Sequence, residues 1–481
     1  MSRGKKLVSD TIIYGTFTIL QRFLSFFMMP LYVNYLTKED FGNITNVYSI
    51  VAVVMVLYSF GFENAFYRFY NENGKSKVFS TSFLFVVFWG LLISGTLLFS
   101  NSLISSSLSD APNMKSMVFY ASIVLFIDII MLIPFALLRM ERATLKFSIY
   151  KFITILIAII FNIYFISYEG RGGEYSFISQ IIASSCGVIL ISPIIIKNLA
   201  IKFEKKLFKE MFHFALPTVP AAIATLLLRT GDHILIPHLM EDGEEALAEY
   251  GANYKLALPM MMFVTTFDYA WKPFYLSSYK DSDAKSFFAK VLEVFVFIAG
   301  FIFLLVEFFL DDLLLIEIGG NTILPSSYHD GLFVISFAMG GYFFLGLNNF
   351  FSMGLNITKQ TKYLPRAIGV AMLFNICANL ILIPLYGYSA AAWITLLSYL
   401  ISAITLYFIS NKIFPINFNF KKVGLIIGFC LVLLFTNNNL NSENNIIVDF
   451  AMLVVYFSLG LYFKFVDVSI LKNLLKKKKP N

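Results

Sequence analysis

Long apolar runs alternate with short polar segments along almost the whole chain of 481 residues. A helix needs about 20 mainly apolar residues to cross the roughly 30 Å hydrocarbon core of a bilayer. Fourteen runs reach this length, and they start near residues 11, 44, 79, 116, 147, 175, 212, 249, 288, 331, 364, 388, 423 and 446. The pattern therefore predicts an all-α polytopic membrane protein with 14 transmembrane helices.

Composition and charge support this prediction and orient the helices. Hydrophobic residues make up 58% of the chain and charged residues 14%, and the mean hydropathy is +0.75, outside the range of soluble globular proteins. With the N-terminus placed inside, the cytoplasmic segments hold 30 Lys and Arg residues and the outside segments hold 3. Because basic residues concentrate on the cytoplasmic side, we predict that both termini are cytoplasmic.

Two stretches of the chain resemble each other and indicate an internal repeat. The stretches 31–50 and 234–258 both close one span, pass an acidic outer loop and reach an aromatic-glycine pair, Phe41-Gly42 and Tyr250-Gly251. Six spans separate the two copies, so the halves run parallel across the membrane. We predict an N-terminal six-helix bundle at 1–205 and a C-terminal six-helix bundle at 206–415. Helices 13 and 14 and a basic cytoplasmic tail follow at 416–481.

An ordered set of segments resembles one known family. The segments are "PLYVNYLTKEDFG" from residue 30, "GDHILIPHL" from 231, "AWKPFY" from 270, "GLNNFFSMGLNITKQTKYLP" from 346 and "NLILIPLYGYSAAAWITLLSYL" from 379. Together they resemble the polysaccharide-repeat flippases of the bacterial MOP exporter superfamily, which includes the O-antigen flippases. The resemblance extends from about residue 10 to 415, and it rests on the order of the segments because the family has no short invariant signature.

The resemblance implies a transporter and not an enzyme. It implies two pseudo-symmetric bundles in a V shape, with a central lumen that opens alternately to each side of the bacterial cytoplasmic (inner) membrane. The implied cargo is an undecaprenyl-diphosphate-linked oligosaccharide, which moves from the cytoplasmic to the outer leaflet, with H⁺ or Na⁺ coupling described for the superfamily. Partners would be the lipid-linked oligosaccharide, membrane lipids and other polysaccharide-assembly proteins. We expect a monomer, with no metal, no other cofactor and no nucleic acid.

Two arginines within apolar runs are the first candidates for substrate binding. Arg22 lies 20 residues before Gly42 and Arg229 lies 22 residues before Gly251, so the repeat places them at similar depths. An arginine inside the membrane is costly and therefore usually functional. Guanidinium groups suit a diphosphate because they bind its oxygens in pairs. The alternative is a structural role, which for Arg229 would be an ion pair with Asp232 one turn away.

Lysines and acids within the spans complete the candidate site. Lys255 and Lys272 are further candidates for binding the diphosphate, although lysines near helix ends commonly extend to the interface instead. A lone carboxylate within a span is protonated, paired, or a site for a coupling ion. The candidates for that ion are Asp128, Asp232 and Asp268, and Asp268 is also a candidate salt-bridge partner of Lys272.

Amides and competing functions leave further alternatives open. Asn375 and Asn379 share one helix face, and interhelical hydrogen bonding is the commoner use of such amides, with sugar contact as the alternative. A lipid II flippase of peptidoglycan synthesis would also have 14 spans and cationic lumen residues. A multidrug or cation antiporter of the same superfamily would have an acid-rich lumen, and a glycan polymerase or ligase would need a large outer loop, which is missing.

The predicted orientation can be tested by cysteine labelling. A membrane-impermeant thiol reagent added outside should label Gly243→Cys, in the loop at 239–250, and should leave Lys205→Cys unlabelled, because the charge pattern places these positions on opposite sides. The reverse labelling pattern would contradict the orientation and the proposed direction of transport.

Overall fold

The protein is described here by a computed structural model that covers residues 19–72, 74–200, 202–440 and 445–463. After a helical stretch at 19–26, nine α-helices form the part of the chain up to residue 215. They are α1 (Met28–Tyr35), α2 (Lys38–Ser59), α3 (Phe62–Phe69), α4 (Lys75–Phe99), α5 (Asn101–Leu108), α6 (Met114–Met140), α7 (Thr144–Asn162), α8 (Tyr175–Asn198) and α9 (Lys205–Ala215). A π-helical segment, Ile163–Tyr168, continues α7.

The rest of the chain is also helical, apart from one small hairpin. The helices are α10 (Thr218–Leu239), α11 (Gly243–Leu256), α12 (Leu258–Ser278), α13 (Ala284–Phe308), α14 (Leu310–Leu314), α15 (Phe333–Ile357), α16 (Leu364–Tyr386), α17 (Tyr388–Ile413), α18 (Phe420–Leu440) and α19 (Ile446–Tyr462). Strand β1 (Glu317–Ile318) pairs antiparallel with β2 (Asn321–Thr322). Short 3₁₀ helices occupy Ser326–Gly331 and Thr361–Tyr363. The all-α polytopic fold class is thereby confirmed.

Eleven helices within the described residues are long and apolar enough to cross a membrane. They correspond to eleven of the fourteen predicted spans, and the count of fourteen is not confirmed. The start of the first predicted span, residues 11–18, lies outside the described residues, and its described part is divided between the helical stretch 19–26 and α1. The fourteenth corresponds to α19, which has only 17 residues.

The eighth predicted span is divided into α11 and α12. The break falls at Ala257, and Pro259 occupies the first turn of α12. Proline lacks the backbone N–H that an uninterrupted helix would use, so it fits the start of a helix better than its interior. The predicted eighth span is therefore interrupted beside this proline and forms two successive helices.

The described residues form two compact units, and boundaries between them fall inside α11, α16 and α17. One unit contains the described residues of 19–255, 326–331 and 368–398, and the other contains those of 256–325, 332–367 and 399–463. The predicted division at residues 205 and 415 follows the sequence repeat, whereas the two units are defined by how closely their residues pack. The predicted bundles are therefore not tested by these units and stay a prediction.

Aromatic residues form much of the core of each unit. In the first unit, Phe62 packs against Phe85 and Phe208, with ring centroids 4.2 and 5.9 Å away. In the second unit, Trp271 and Phe267 pack against Phe350 at 5.0 and 5.3 Å. Dispersion contacts between such large rings stabilise helix packing inside a bilayer, where the hydrophobic effect between helices is weak.

The two aromatic-glycine pairs of the repeat meet in the first unit. Helix α2 starts at the N-cap Thr37, whose hydroxyl accepts a hydrogen bond from the Asp40 amide at 3.1 Å. One turn later, a methyl group built on Gly42 would lie 1.8 Å from the Glu244 carbonyl oxygen, and one built on Gly251 would lie 3.3 Å from Thr45. Small residues permit such close approach of helices in membranes. Helices α2 and α11 therefore pack backbone against backbone.

One choice made from the sequence needs correction. Gly243 is buried, and a methyl group built on it would lie 2.4 Å from the carbonyl oxygen of Pro237, so a cysteine at this position would distort the loop. Glu241 is exposed in the same loop. The outside label of the orientation experiment is therefore better placed at Glu241→Cys, with Lys205→Cys kept as the inside position.

The contact at Gly42 gives a prediction about stability. Gly42→Ala should lower the free energy of unfolding by about 1–3 kcal/mol, the usual cost of overpacking, because the Glu244 backbone must move. Gly95→Ala in α4 is the matched control, since nothing lies within 4 Å of its added methyl group. Thermal unfolding of the purified variants in detergent measures both, and equal melting temperatures would contradict the close packing of α2 and α11.

Candidate functional site

A buried carboxylate lies at the centre of a polar cluster in the first unit. Asp232 of α10 is only 1% exposed. One of its oxygens, Oδ1, accepts a hydrogen bond from the His233 amide at 2.9 Å and lies 2.9 Å from His233 Nδ1. The other, Oδ2, accepts hydrogen bonds from the hydroxyl of Tyr250 and from Thr395 Oγ1, the latter at 3.2 Å. The protein thus surrounds this carboxylate with donors, as a charge removed from water requires.

Asparagine side chains extend this cluster. Asn375 Nδ2 of α16 donates to Thr395 Oγ1 at 3.4 Å and to Ser398 Oγ at 3.1 Å. Asn379 Nδ2 donates to Asn375 Oδ1 at 3.1 Å. The bonds of Asn375 to Thr395 and Ser398 confirm its predicted interhelical role, whereas the bond of Asn379 lies within its own helix, α16. We call Asp232, His233, Tyr250, Asn375, Asn379, Thr395 and Ser398 the Asp232 network; it joins α10, α11, α16 and α17.

The chemistry of the Asp232 network suits a small hard cation or a proton. Its acceptors are one carboxylate, two amide oxygens and hydroxyl oxygens, which are the ligands that hard cations prefer. Asn379 Oδ1 is buried and accepts no hydrogen bond from the described residues, so it is available as a ligand. Within the same residues, no cluster of three or more His, Cys, Asp or Glu side chains could hold a metal ion. A transition-metal centre is therefore not indicated by these residues.

Both arginines lie in the first unit, although the sequence repeat assigned Arg22 to the N-terminal bundle and Arg229 to the C-terminal bundle. One expected pairing is also absent. Arg22 is partly buried in the helical stretch 19–26, and Arg229 is exposed on α10. The alternative in which Arg229 pairs with Asp232 is wrong, because His233, Tyr250 and Thr395 supply the donors to that carboxylate instead. Whether the arginines contact the substrate stays a prediction.

The two lysines differ in their surroundings. The Lys255 ammonium lies 4.9 Å from the centroid of the buried Phe41 ring, an arrangement that stabilises a cation through the electrons of the ring. Lys272 of α12 is exposed, and Asp268 one turn earlier is partly buried. Lys272 is close enough to Asp268 to act on it electrostatically, but the two side chains form no ion pair within 4.0 Å, so the expected direct salt bridge is absent. Asp268 stays a candidate for ion coupling.

Asp128 of α6 lies beside a lysine that sequence reasoning missed. Its Oδ1 accepts a hydrogen bond from Ser184 Oγ of α8 at 2.6 Å, and Lys151 is close enough to act on it electrostatically. Lys151 is not among the candidate residues that the sequence predicts; α7 begins at Thr144, and Lys151 lies about two turns after that start. Its ammonium lies 4.6 Å from the centroid of the Phe135 ring. The distance of Lys151 from the preceding loop, about two helical turns, was the signal in the sequence that could have identified it as a residue within the helix.

An ion pair between the start of α2 and the middle of α11 was also missed. Lys38 Nζ lies 3.4 Å from Glu249 Oε2 and 5.0 Å from the centroid of the Tyr328 ring. Burial raises the pKa of the Tyr328 phenol, and the negative charge of Glu249 raises this pKa further, so the ring stays neutral. Neither Lys38 nor Glu249 is among the candidate residues that the sequence predicts. Their positions beside the two aromatic-glycine pairs of the repeat were the available signal.

Comparison with known proteins defines the class of this protein. A lipid II flippase, MurJ, in an inward closed conformation has a similar fold, with a TM-score of 0.73, 18% sequence identity, and coverage of 93% of this chain and 98% of that chain. An inward-facing multidrug resistance MATE family transporter of the MOP superfamily gives a TM-score of 0.63, 11% identity, and coverage of 84% and 97%. A MOP superfamily transporter from Pyrococcus furiosus has a TM-score of 0.60 and 14% sequence identity, and the match covers 85% of this chain and 94% of that chain. The fold is that of MOP-superfamily transporters.

The family follows from the sequence. The profile of the polysaccharide biosynthesis protein family matches residues 33–319, which is more than half of the chain. The chain belongs to this family. No curated protein sequence matches the chain.

The hydrogen bonds of Asp232 give a prediction with an internal control. Tyr250→Phe should lower the free energy of unfolding by about 1.5–3 kcal/mol, the usual value of a hydrogen bond to a charged group, because it removes one donor from a buried carboxylate. Tyr328→Phe should cause little change, since the buried Tyr328 hydroxyl has no hydrogen-bond partner among the described residues. Thermal unfolding in detergent compares the two variants, and equal losses would argue against a special role for the Tyr250 hydroxyl.

Proposed function

We propose that this protein is a flippase for undecaprenyl-diphosphate-linked oligosaccharide repeat units of a bacterial surface polysaccharide, such as the O-antigen of lipopolysaccharide. It would move them from the cytoplasmic to the outer leaflet of the cytoplasmic (inner) membrane by alternating access. The observation that carries the proposal is the combination of a transporter fold over 93% of the chain with membership of a polysaccharide biosynthesis family. A transporter within polysaccharide synthesis must carry an intermediate, and in that process the intermediate is a lipid-linked glycan.

The charges within the helices support an anionic cargo. Arg22, Arg229, Lys255 and Lys272 are the cationic candidates, and three of them belong to the first unit. Arg229 forms no ion pair with a described acidic residue, so its guanidinium is available for an anion. An arginine binds diphosphate oxygens through two parallel hydrogen bonds, which gives orientation as well as attraction.

We also propose that the Asp232 network takes the coupling cation, H⁺ or Na⁺. The carboxylate supplies a negative charge, while Asn375, Asn379 and Thr395 supply neutral oxygen ligands. Because α10, α11, α16 and α17 all contribute, an ion bound here would change the packing of four helices at once. A ligand can shift a conformational equilibrium only by binding one state better than the other, and a site shared between helices permits that difference. Asp128 and Asp268 are secondary candidates.

A lipid II flippase of peptidoglycan synthesis is the second candidate function. It is favoured by the similarity to MurJ, which extends over almost the whole of both chains. The two functions share a lipid diphosphate and differ in the glycan, so the same cationic residues serve either one. A multidrug or cation antiporter is a third alternative, because MATE transporters share the fold, but arginines suit an anionic cargo better than a cationic drug.

The analysis of lipid-linked intermediates in a deletion strain tests the proposal. The strain should accumulate undecaprenyl-diphosphate-linked repeat units on the cytoplasmic side, should lose the surface polysaccharide, and should recover both with the wild-type gene. Accumulation of lipid II in place of the repeat units would support the second function. Loss of polysaccharide without either intermediate would contradict a flippase.

Substitution of Arg22 gives a graded prediction. Surface polysaccharide in the complemented deletion strain should fall in the order wild type, Arg22→Lys, Arg22→Ala, because lysine keeps the charge but loses the paired hydrogen bonds. Arg171→Ala is the matched control; Arg171 forms an exposed ion pair with Glu169 outside the predicted spans, and exposed pairs contribute little. Protein levels in the membrane are compared by immunoblot. Normal polysaccharide from Arg22→Ala at equal levels would show that this charge does not bind the substrate.

A further inference from the structure

Two asparagines in α2 are buried without hydrogen-bond partners. Asn43 and Asn46 are both 0% exposed. The nitrogen and the oxygen of both side-chain amides are buried, and among the described residues none of these four atoms has a hydrogen-bond partner. Native proteins pair nearly all of their buried polar atoms, so two complete amides without partners in one helix need an explanation.

Other asparagines in helices of this protein make a hydrogen bond that Asn43 and Asn46 lack. Asn162 Nδ2 donates to the Ala158 carbonyl at 2.7 Å, and Asn198 Nδ2 donates to the Ile194 carbonyl at 2.8 Å. Asn439 does the same with Phe435, also at 2.7 Å. A bond to the carbonyl four residues earlier is open to any helical asparagine. Asn43 and Asn46 do not make this bond, although both are buried.

The two amides lie beside the seam between α2 and α11. Asn46 is four residues after Gly42 and therefore shares its helix face, and Gly42 contacts the backbone of Glu244. Thr45, the residue before Asn46, contacts Gly251. Helix α10 also packs against α2. We call the contact between α2 and α11, with Asn43 and Asn46, the α2–α11 seam.

Charged side chains hold this seam together. The Lys38–Glu249 ion pair spans it at 3.4 Å, and Lys255 of α11 lies over Phe41 of α2. Further polar atoms without partners among the described residues lie next to it, namely Asn253 Oδ1 and the Tyr328 hydroxyl. The seam therefore combines contacts that hold it closed with polar groups that are satisfied only if it opens.

We propose that the α2–α11 seam is the outer gate of the transport path, and that Asn43 and Asn46 bind the hydroxyl groups of the oligosaccharide when this gate is open. The proposal rests on the proposed function, because it assumes a glycan cargo. A primary amide offers two donors and a carbonyl acceptor, which match sugar hydroxyls that both donate and accept. Both asparagines belong to the segment that the charge pattern places next to the outer surface.

The same amides make the closed gate easy to open. In the closed state their desolvation is not compensated, whereas in the open state water and then sugar hydroxyls supply the missing partners. The glycan thus binds the open state better than the closed state, which is the condition for a cargo to shift the equilibrium. Lys38, Glu249 and the glycine contacts close the gate again after release.

Leucine substitutions separate this role from a structural one. Leucine resembles asparagine in shape, and replacement of an unpaired buried amide by an apolar group is neutral or stabilising. We expect Asn43→Leu and Asn46→Leu to raise the melting temperature of the purified full-length protein by at least about 2 °C. Asn162→Leu is the matched control and should lower it, because Asn162 also accepts a hydrogen bond from Tyr32 at 2.9 Å.

Chemical crosslinking reports the gate directly. In a cysteine-free background, a short bifunctional thiol reagent should link Lys38→Cys to Glu249→Cys at least about twofold faster when Asn46→Leu is present, because the closed state is then more populated. In the same strains, surface polysaccharide should fall with Asn46→Leu and recover in part with Asn46→Ser, which keeps a hydroxyl. A lower melting temperature in both Asn46→Leu and Asn46→Ala would show that the amide has partners, and would overturn the proposal.

Failure of the gate proposal and failure of the flippase proposal give different experimental results. If the deletion strain accumulates lipid-linked repeat units but both leucine variants export normal amounts of polysaccharide, the gate assignment is wrong and the flippase assignment stands. If the deletion strain accumulates no such intermediate, the cargo itself is wrong, and the glycan role of Asn43 and Asn46 falls with it.

Discussion

The need to satisfy a buried carboxylate in an apolar medium determines the arrangement of the functional helices. Asp232 is almost completely buried, and water cannot hydrate it there. Removal of a charge from water costs several kcal/mol unless nearby donors compensate, with estimates of order 20 kcal/mol for the idealised transfer. Tyr250 and Thr395 supply such donors from α11 and α17, and Asn375 of α16 orients Thr395. The positions of four helices are linked through this one charge.

The buried polar groups of the α2–α11 seam differ from those of the Asp232 network in their hydrogen bonding. The Asp232 network satisfies nearly every polar atom and so favours one fixed arrangement, whereas Asn43 and Asn46 have no partners among the described residues. A transporter needs both properties, since it must hold a site together while it passes between states of similar free energy. The satisfied network gives the site its geometry, and the unsatisfied seam keeps the closed gate from being too stable.

The sequence predicts the elements of this structure better than it predicts their partners. Apolar runs predict eleven helices that the described residues contain and that are long and apolar enough to cross a membrane, because length and hydropathy follow from the bilayer itself. Pro259 signals the break in the eighth span, and the two aromatic-glycine pairs signal the contact between α2 and α11.

Side-chain pairing was harder to predict, because it depends on the rotation of each helix and on residues far away in the chain. Asp232 pairs with Tyr250 and Thr395 and not with Arg229, and Asp268 does not pair with Lys272. The network between Asp232 and Thr395 joins positions 163 residues apart, which no local spacing reveals. Lys151 was missed for a different reason. Helix α7 begins at Thr144, before the start of the apolar run from which the span was predicted, so Lys151 lies deeper in the helix than the sequence indicated.

Transport by the purified protein tests the central claim most directly, namely that this chain moves a lipid-linked glycan and couples the movement to a cation at Asp232. The protein is reconstituted into liposomes with a fluorescent undecaprenyl-diphosphate oligosaccharide, and a membrane-impermeant quencher reports the leaflet. We predict protein-dependent translocation that responds to an imposed H⁺ or Na⁺ gradient, and loss of that response in Asp232→Asn. Translocation no faster than in protein-free liposomes under every gradient would contradict the account.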